Sequence, residues 1–124
     1  MPADYEINAE LRLVITHASG ILTDSDVLDY YTRLKNDPRF DPTYNQLCDL
    51  RPVTRIATAP ETLRELARSR IFAPAARRAF ITQPGADFGL ARMFQTFCEI
   101  EGTSVGVFKD AREAEAWLGG PGAG

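Results

Sequence analysis

The chain has 124 residues, is 44% hydrophobic and 25% charged, and carries a formal net charge of −3. That length suits one domain with one core, and the ordinary composition excludes fibrous, collagenous and disordered classes. No apolar run approaches the ~20 residues that cross a bilayer, and the acidic start MPADYEINAE lacks the apolar centre of a secretory signal.

Leu11 to His17 alternates with period two and reads as a half-buried strand, with Leu11, Leu13, Ile15 and His17 on its core side. Tyr5 to Ile7 reads as its hairpin partner, turned at Asn8-Ala9-Glu10. Thr23 to Asn36 reads as a helix. Thr23 and Asp26 have the spacing of a capping box, and Val27, Leu28, Tyr31 and Leu34 form the inward stripe. Two prolines, Pro38 and Pro42, punctuate the loop that follows. Asn45 to Leu50 reads as a compact strand. TRIATAPETL, residues 54–63, then leads into a helix over Pro60 to Ile71, whose apolar face is Leu63, Leu66, Ala67 and Ile71. A strand over Arg78 to Thr82, a helix over Asp87 to Glu101 and a strand over Thr103 to Phe108 come next. Asp110 caps a last helix ending at Leu118. Residues 1–118 make the domain, and residues 119–124 are a Gly-rich tail expected to be flexible.

The order ββαβαβαβα predicts a single α/β domain, with a mostly parallel sheet and an antiparallel N-terminal hairpin. Cys48 falls in a strand and Cys98 on the apolar side of a helix. Two such cysteines are no disulfide scaffold, and buried thiols in a reducing cytoplasm are expected.

Charge is unevenly distributed. Residues 1–50 balance to −5, residues 51–78 to +5 through seven arginines, and residues 79–124 to −3. A basic block in an acidic chain is either a solvated helix face or a surface for an anionic partner. It has no interleaved aromatics and no nucleic-acid motif, so no nucleic-acid partner is expected.

Asp49 and Arg51 fall at the C-terminal end of a central parallel strand, the edge where ligand crevices gather in open α/β sheets. They either hold a polar ligand or shape the loop. His17 is the single histidine, neither cysteine has a CxxC partner, and no P-loop, Gly-x-Gly-x-x-Gly or Gly-x-Ser-x-Gly occurs. No metal, no cofactor and no enzymatic activity are therefore expected. On the third helix Arg92, Gln95, Thr96 and Glu99 form a narrow polar stripe. The apolar residues around it cover about half the circumference, so Met93, Phe94, Phe97 and Ile100 are candidates for a ligand cleft or a homodimer contact.

The segments Asp37–Pro42, Leu47–Thr54 and Phe88–Phe94 resemble the SpoIIAA-like proteins, small bacterial proteins of the STAS-like fold related to anti-sigma-factor antagonists. The resemblance spans roughly residues 4–118. It implies a non-enzymatic regulatory module that binds a protein partner through Asp49, Arg51, Thr54, Thr58 and Arg64. The antagonists' pattern is roughly Asp-Leu-Ser-Gly-Val-x-x-Ile-Asp-Ser-Ser-Gly. Laid on this chain, its first aspartate matches Asp49 and its phosphoacceptor falls on Thr58. Ala57, Ala59 and Pro60 replace three closing residues of that pattern, and Thr58 also has capping-box spacing to Glu61. Thr58 is thus expected as a helix cap, with phosphoacceptor as the other reading. The alternative function is a carrier or sensor of a small apolar or lipid-like molecule beside the third helix. An enclosed apolar cavity would favour it, and a solid core under a flat basic surface would favour the protein partner.

Overall fold

The computed structural model describes residues 2–119. The elements in chain order are β1 (Ala3–Asn8), β2 (Leu13–Ala18), β3 (Gly20–Thr23), α1 (Asp24–Lys35), β4 (Asn45–Asp49), β5 (Val53–Ala57), α2 (Pro60–Ser69), β6 (Arg77–Ile81), α3 (Ala86–Ile100), β7 (Ser104–Phe108) and α4 (Ala111–Trp117). Residues 120–124 of the expected tail lie outside the described residues.

Five strands form the main sheet in the order β1-β2-β4-β6-β7. β1 runs antiparallel to β2, while β2, β4, β6 and β7 run parallel. The expected mostly parallel sheet with an N-terminal hairpin is therefore present, as a single α/β domain. The difference is a second, two-stranded parallel sheet of β3 and β5. Both strands are four or five residues long and run straight towards a helix, so on the page they pass for helix lead-ins.

α1 begins as its sequence dictates. Thr23 Oγ1 accepts from Asp26 N at 3.3 Å, and Asp26 Oδ2 accepts from Thr23 N at 2.9 Å, closing the capping box. Its inward side holds Tyr30 and Leu34, and Leu28 is 43% exposed. Val27, Tyr31 and Leu34 pack into the core as expected, and the difference is that Tyr30, not Leu28, completes the inward face. α4 is capped by Asp110, which accepts from Arg112 N and Glu113 N.

The phase of β2 is also the reverse of the expectation. Val14, Thr16 and Ala18 are buried beneath the helices, whereas Leu11 and His17 are exposed. Leu13, Ile15 and His17 point to the opposite face, where α4 packs mainly on β6 and β7. Hydrophobic alternation alone misled here because Thr16 is a polar residue in the core.

The core has three parts. α1 packs Tyr30 and Leu34 against Val14, Ala18 and Phe72. α2 and α3 pack Leu63, Leu66, Phe94 and Cys98 against Cys48, Phe80 and Val105. Beneath the sheet, α4 places Ala114 on Ala79 and Ile81. Full burial of a side chain such as Leu34 contributes roughly 1.5–3 kcal/mol. Gly106 in β7 lets the lower layer close, since a Cβ there would stand 2.7 Å from the Phe108 ring and 3.2 Å from Trp117.

Candidate functional site

Asp49 ends β4, the central strand, and Arg51 follows in the loop. Arg51 donates to Asp49 through Nε and Nη2, both at 2.9 Å, and through its backbone N at 3.0 Å. This fork holds the Asp49 carboxyl below the usual carboxylate range. The expected pair therefore exists, and it spends the guanidinium on its own neighbour. The loop is further tied by Leu50 N to Ile81 O and by Gln83 Nε2 to Arg51 O.

Thr54 is exposed on β5, and Thr58 is buried at 5% exposure. Thr58 is not the cap of α2: the N-cap is Ala59, with no side-chain bond. The helix starts one residue later than the capping-box spacing requires, with Pro60 supplying its first turn. The Thr58 hydroxyl instead donates to Leu22 O at 3.1 Å, joining the end of β5 to β3. Two carboxylates fasten the same ribbon: Asp24 Oδ1 accepts from Ala59 N at 2.8 Å, and Asp87 Oδ1 from Ile56 N at 3.1 Å.

The basic block does not form one face. Arg64 is exposed over the Phe97 ring, Arg77 donates to Trp117 O, Arg51 is paired with Asp49, and Arg78 is in the core. Arg55, Arg64, Arg68 and Arg70 remain at the surface on β5 and α2.

Beneath the β3–β5 ribbon, between the sheet and α1, α2 and α3, lies a cavity of about 90 Å³. Leu22, Ile56 and Thr58 contribute from the ribbon side, Ala18 and Phe80 from the sheet, and Phe94 from α3. Of the four residues expected to form a cleft or dimer contact, Phe94 alone borders this cavity. Met93 and Ile100 are exposed at 37% and 72%, and Phe97 lies under Arg64. The structure thus brings together Thr58 and Phe94, joins Asp49 to Arg51, and leaves Arg64 and Ile100 on the outside.

At the inner end of the cavity is a polar cluster that the sequence reading missed. Gln46 Nε2 donates to Thr16 Oγ1 at 3.0 Å and to Tyr30 OH at 2.9 Å. Gln46 Oε1 accepts from Arg78 Nε at 3.0 Å, and Arg78 Nη2 donates to Tyr31 OH. Arg78 is 4% exposed and meets no carboxylate among the described residues. Its guanidinium sits 4.4 Å from the Phe72 ring centre and 5.5 Å from those of Phe80 and Phe94. Burial pushes the Tyr30 hydroxyl well above its usual pKa and the Cys48 thiol up to about 12. Both cysteines are free buried thiols, as expected, and burial raises the pKa of each. Gln46 and Arg78, polar residues at inward positions near the starts of β4 and β6, were the available signal. Among the described residues no group of three acidic, His or Cys side chains is placed to hold a metal.

The helices and the parallel sheet with its antiparallel edge define a SpoIIAA-like α/β fold. The chain is similar to an uncharacterised protein of the DUF3478 family with a SpoIIAA-like fold from Shewanella loihica PV-4, with a TM-score of 0.62 and 19% identity over 94% of this chain and 93% of that one. At that identity the likeness shows the fold, in agreement with the resemblance seen in the sequence. No protein-family model and no curated protein matches the chain. No helix among the described residues is long and apolar enough to cross a membrane.

Proposed function

We propose that this protein is a non-enzymatic binding module that takes a small apolar group into the cavity beneath the β3–β5 ribbon. The observation that carries this reading is the cavity itself, because its neighbouring polar side chains are turned into their own hydrogen bonds and leave hydrocarbon to face the space. Its volume of about 90 Å³ is some three times a water's share of liquid volume, ~30 Å³, and below the ~150 Å³ that accommodates benzene in an engineered core. The resting cavity suits the end of an alkyl chain. The ribbon belongs to a separate sheet, so it can shift for a larger group without breaking the main ladder.

Thermal unfolding with linear alcohols of four to eight carbons tests this. A ligand that enters raises the melting temperature, by the equivalent of about 2.7 kcal/mol at a hundred times its Kd. Ala91→Leu, which fills the α3 side of the cavity, should abolish that rise while the protein stays folded. No rise with any chain length would remove the reading.

A second reading, a regulatory protein partner at the Asp49–Thr58 loop and α2, is favoured by the exposed Arg55, Arg64 and Arg68. Phosphorylation of Thr58 within that reading requires the ribbon to open first, since the hydroxyl is buried against Leu22 O.

A further inference from the structure

We propose that the open edge of β7 is a docking groove for an extended segment of a partner protein, with a lysine or arginine of that segment beside Glu99. β7 lies at one end of the main sheet and, among the described residues, pairs with β6 alone. Phe108 O accepts from Thr82 N at 2.8 Å, so the backbone groups of Phe108 and Gly106 turn inwards. Strand alternation then turns those of Val105 and Val107 outwards. Gln95 Nε2 occupies Val105 O at 2.8 Å. The Val105 N–H and both backbone groups of Val107 face outwards with no strand beside them, the template that an added strand uses.

The edge is recessed. Gln95 and Glu99 of α3 stand on one side of it and Trp117 of α4 on the other, around an open groove of about 420 Å³. The groove is open to an incoming extended chain, whereas the edge of a second copy would bring its own α3 and α4 against these walls. Five residues of β7 offer roughly 17 Å of template. The strand SVGVF itself has neither a lysine nor a proline to block an added strand, and the Gln95 amide on Val105 O is its one side-chain plug among the described residues.

Charge narrows the partner further. Glu99 is exposed, has no ion pair among the described residues, and lies in the last turn of α3, where the helix dipole is already negative and no basic residue offsets it. A cation on the incoming strand would relieve both.

The test is selection of a random heptapeptide display library on the full chain. The enriched peptides should alternate β-forming residues with a lysine or arginine at a fixed place, and should shift the amide resonances of Val105 and Val107. Val107→Pro removes an outward N–H without touching the ladder to β6 and should weaken binding by about tenfold or more. Glu99→Gln, a surface change that leaves the fold intact, should weaken it by about threefold and so serves if the proline variant unfolds. Gln95→Ala frees a carbonyl and should not weaken it. Failure to enrich any peptide, binders that shift other residues, or a dimer whose contact is β7 would each overturn the proposal.

Discussion

Arg51 and Arg78 come from the same basic block and meet opposite fates. Arg51 is 45% exposed and forks onto the Asp49 carboxylate. Arg78 is buried among three phenylalanines and a tyrosine, with two neutral oxygens as its acceptors. The pair with ideal geometry is the weaker contributor, because water and salt screen it and either partner alone stays solvated. The guanidinium without an anion is the more consequential group. Its desolvation cost is already borne by the fold, and everything packed around it has been shaped to hold it.

The largest effect should come from removing that guanidinium. Arg78→Ala strands Gln46 Oε1, removes the donor to Tyr31 and opens a void among Phe72, Phe80 and Phe94, at a cost of about 3–5 kcal/mol by chemical denaturation. Arg78→Met should recover the part due to the void, since the aromatic cage accepts a thioether, and leave the part due to Gln46 Oε1. A methionine variant as unstable as the alanine one would mean that the charge, not the packing, holds this part of the core.

The contrast also marks where sequence reading reached and where it stopped. Asp49 and Arg51 are two residues apart in one loop, and such local pairs are legible because chain geometry almost forces them. The Thr23–Asp26 capping box, the Asp110 cap and the buried face of α2 were readable for the same reason. Arg78, Gln46, Tyr30 and Thr16 come from β6, β4, α1 and β2, and only the register of three strands brings them together. Polar residues at inward positions moreover reverse the apparent phase of a strand, which is why His17 was expected on the core side. The β3–β5 ribbon escaped because each strand runs almost directly into a helix, α1 after Thr23 and α2 at Pro60, and so passes for that helix's lead-in. Thr58 was given a cap's role from spacing, while its real acceptor, Leu22 O, lies 36 residues away.

Thr58 gives the intermediate case, a buried hydroxyl without charge. Thr58→Val keeps the shape and leaves Leu22 O without its donor, which should cost about 1–2 kcal/mol. Hydrogen exchange should speed up in β3 and β5 while β2, β4 and β6 stay protected, because the ribbon is a separate sheet. α2 should keep its first turn, since Pro60 and Ala59 start it without the hydroxyl. Loss of that first turn, with the ribbon unaffected, would restore the cap.

The smallest effect belongs to the exposed pair, and pH exposes its sign. Arg51 lowers the folded-state pKa of Asp49, so the pair stabilises the protein above the unfolded carboxyl value of about 3.9. That contribution fades as pH falls through the depressed folded value, where the unfolded chain binds the proton more readily. Asp49→Asn should therefore be slightly less stable than the natural chain at pH 7, and the gap should close on acidification and in high salt. Asp26 and Asp41 are likewise lowered, by bonds to Thr23 and Thr43, so the natural chain and the variant share the rest of their acid slope. Denaturant midpoints of both proteins from pH 7 downwards measure the gap directly. A deficit that persists unchanged into strong acid would show that Asp49 acts by shaping the loop as a neutral acceptor, and the contrast with Arg78 would then rest on geometry rather than on charge.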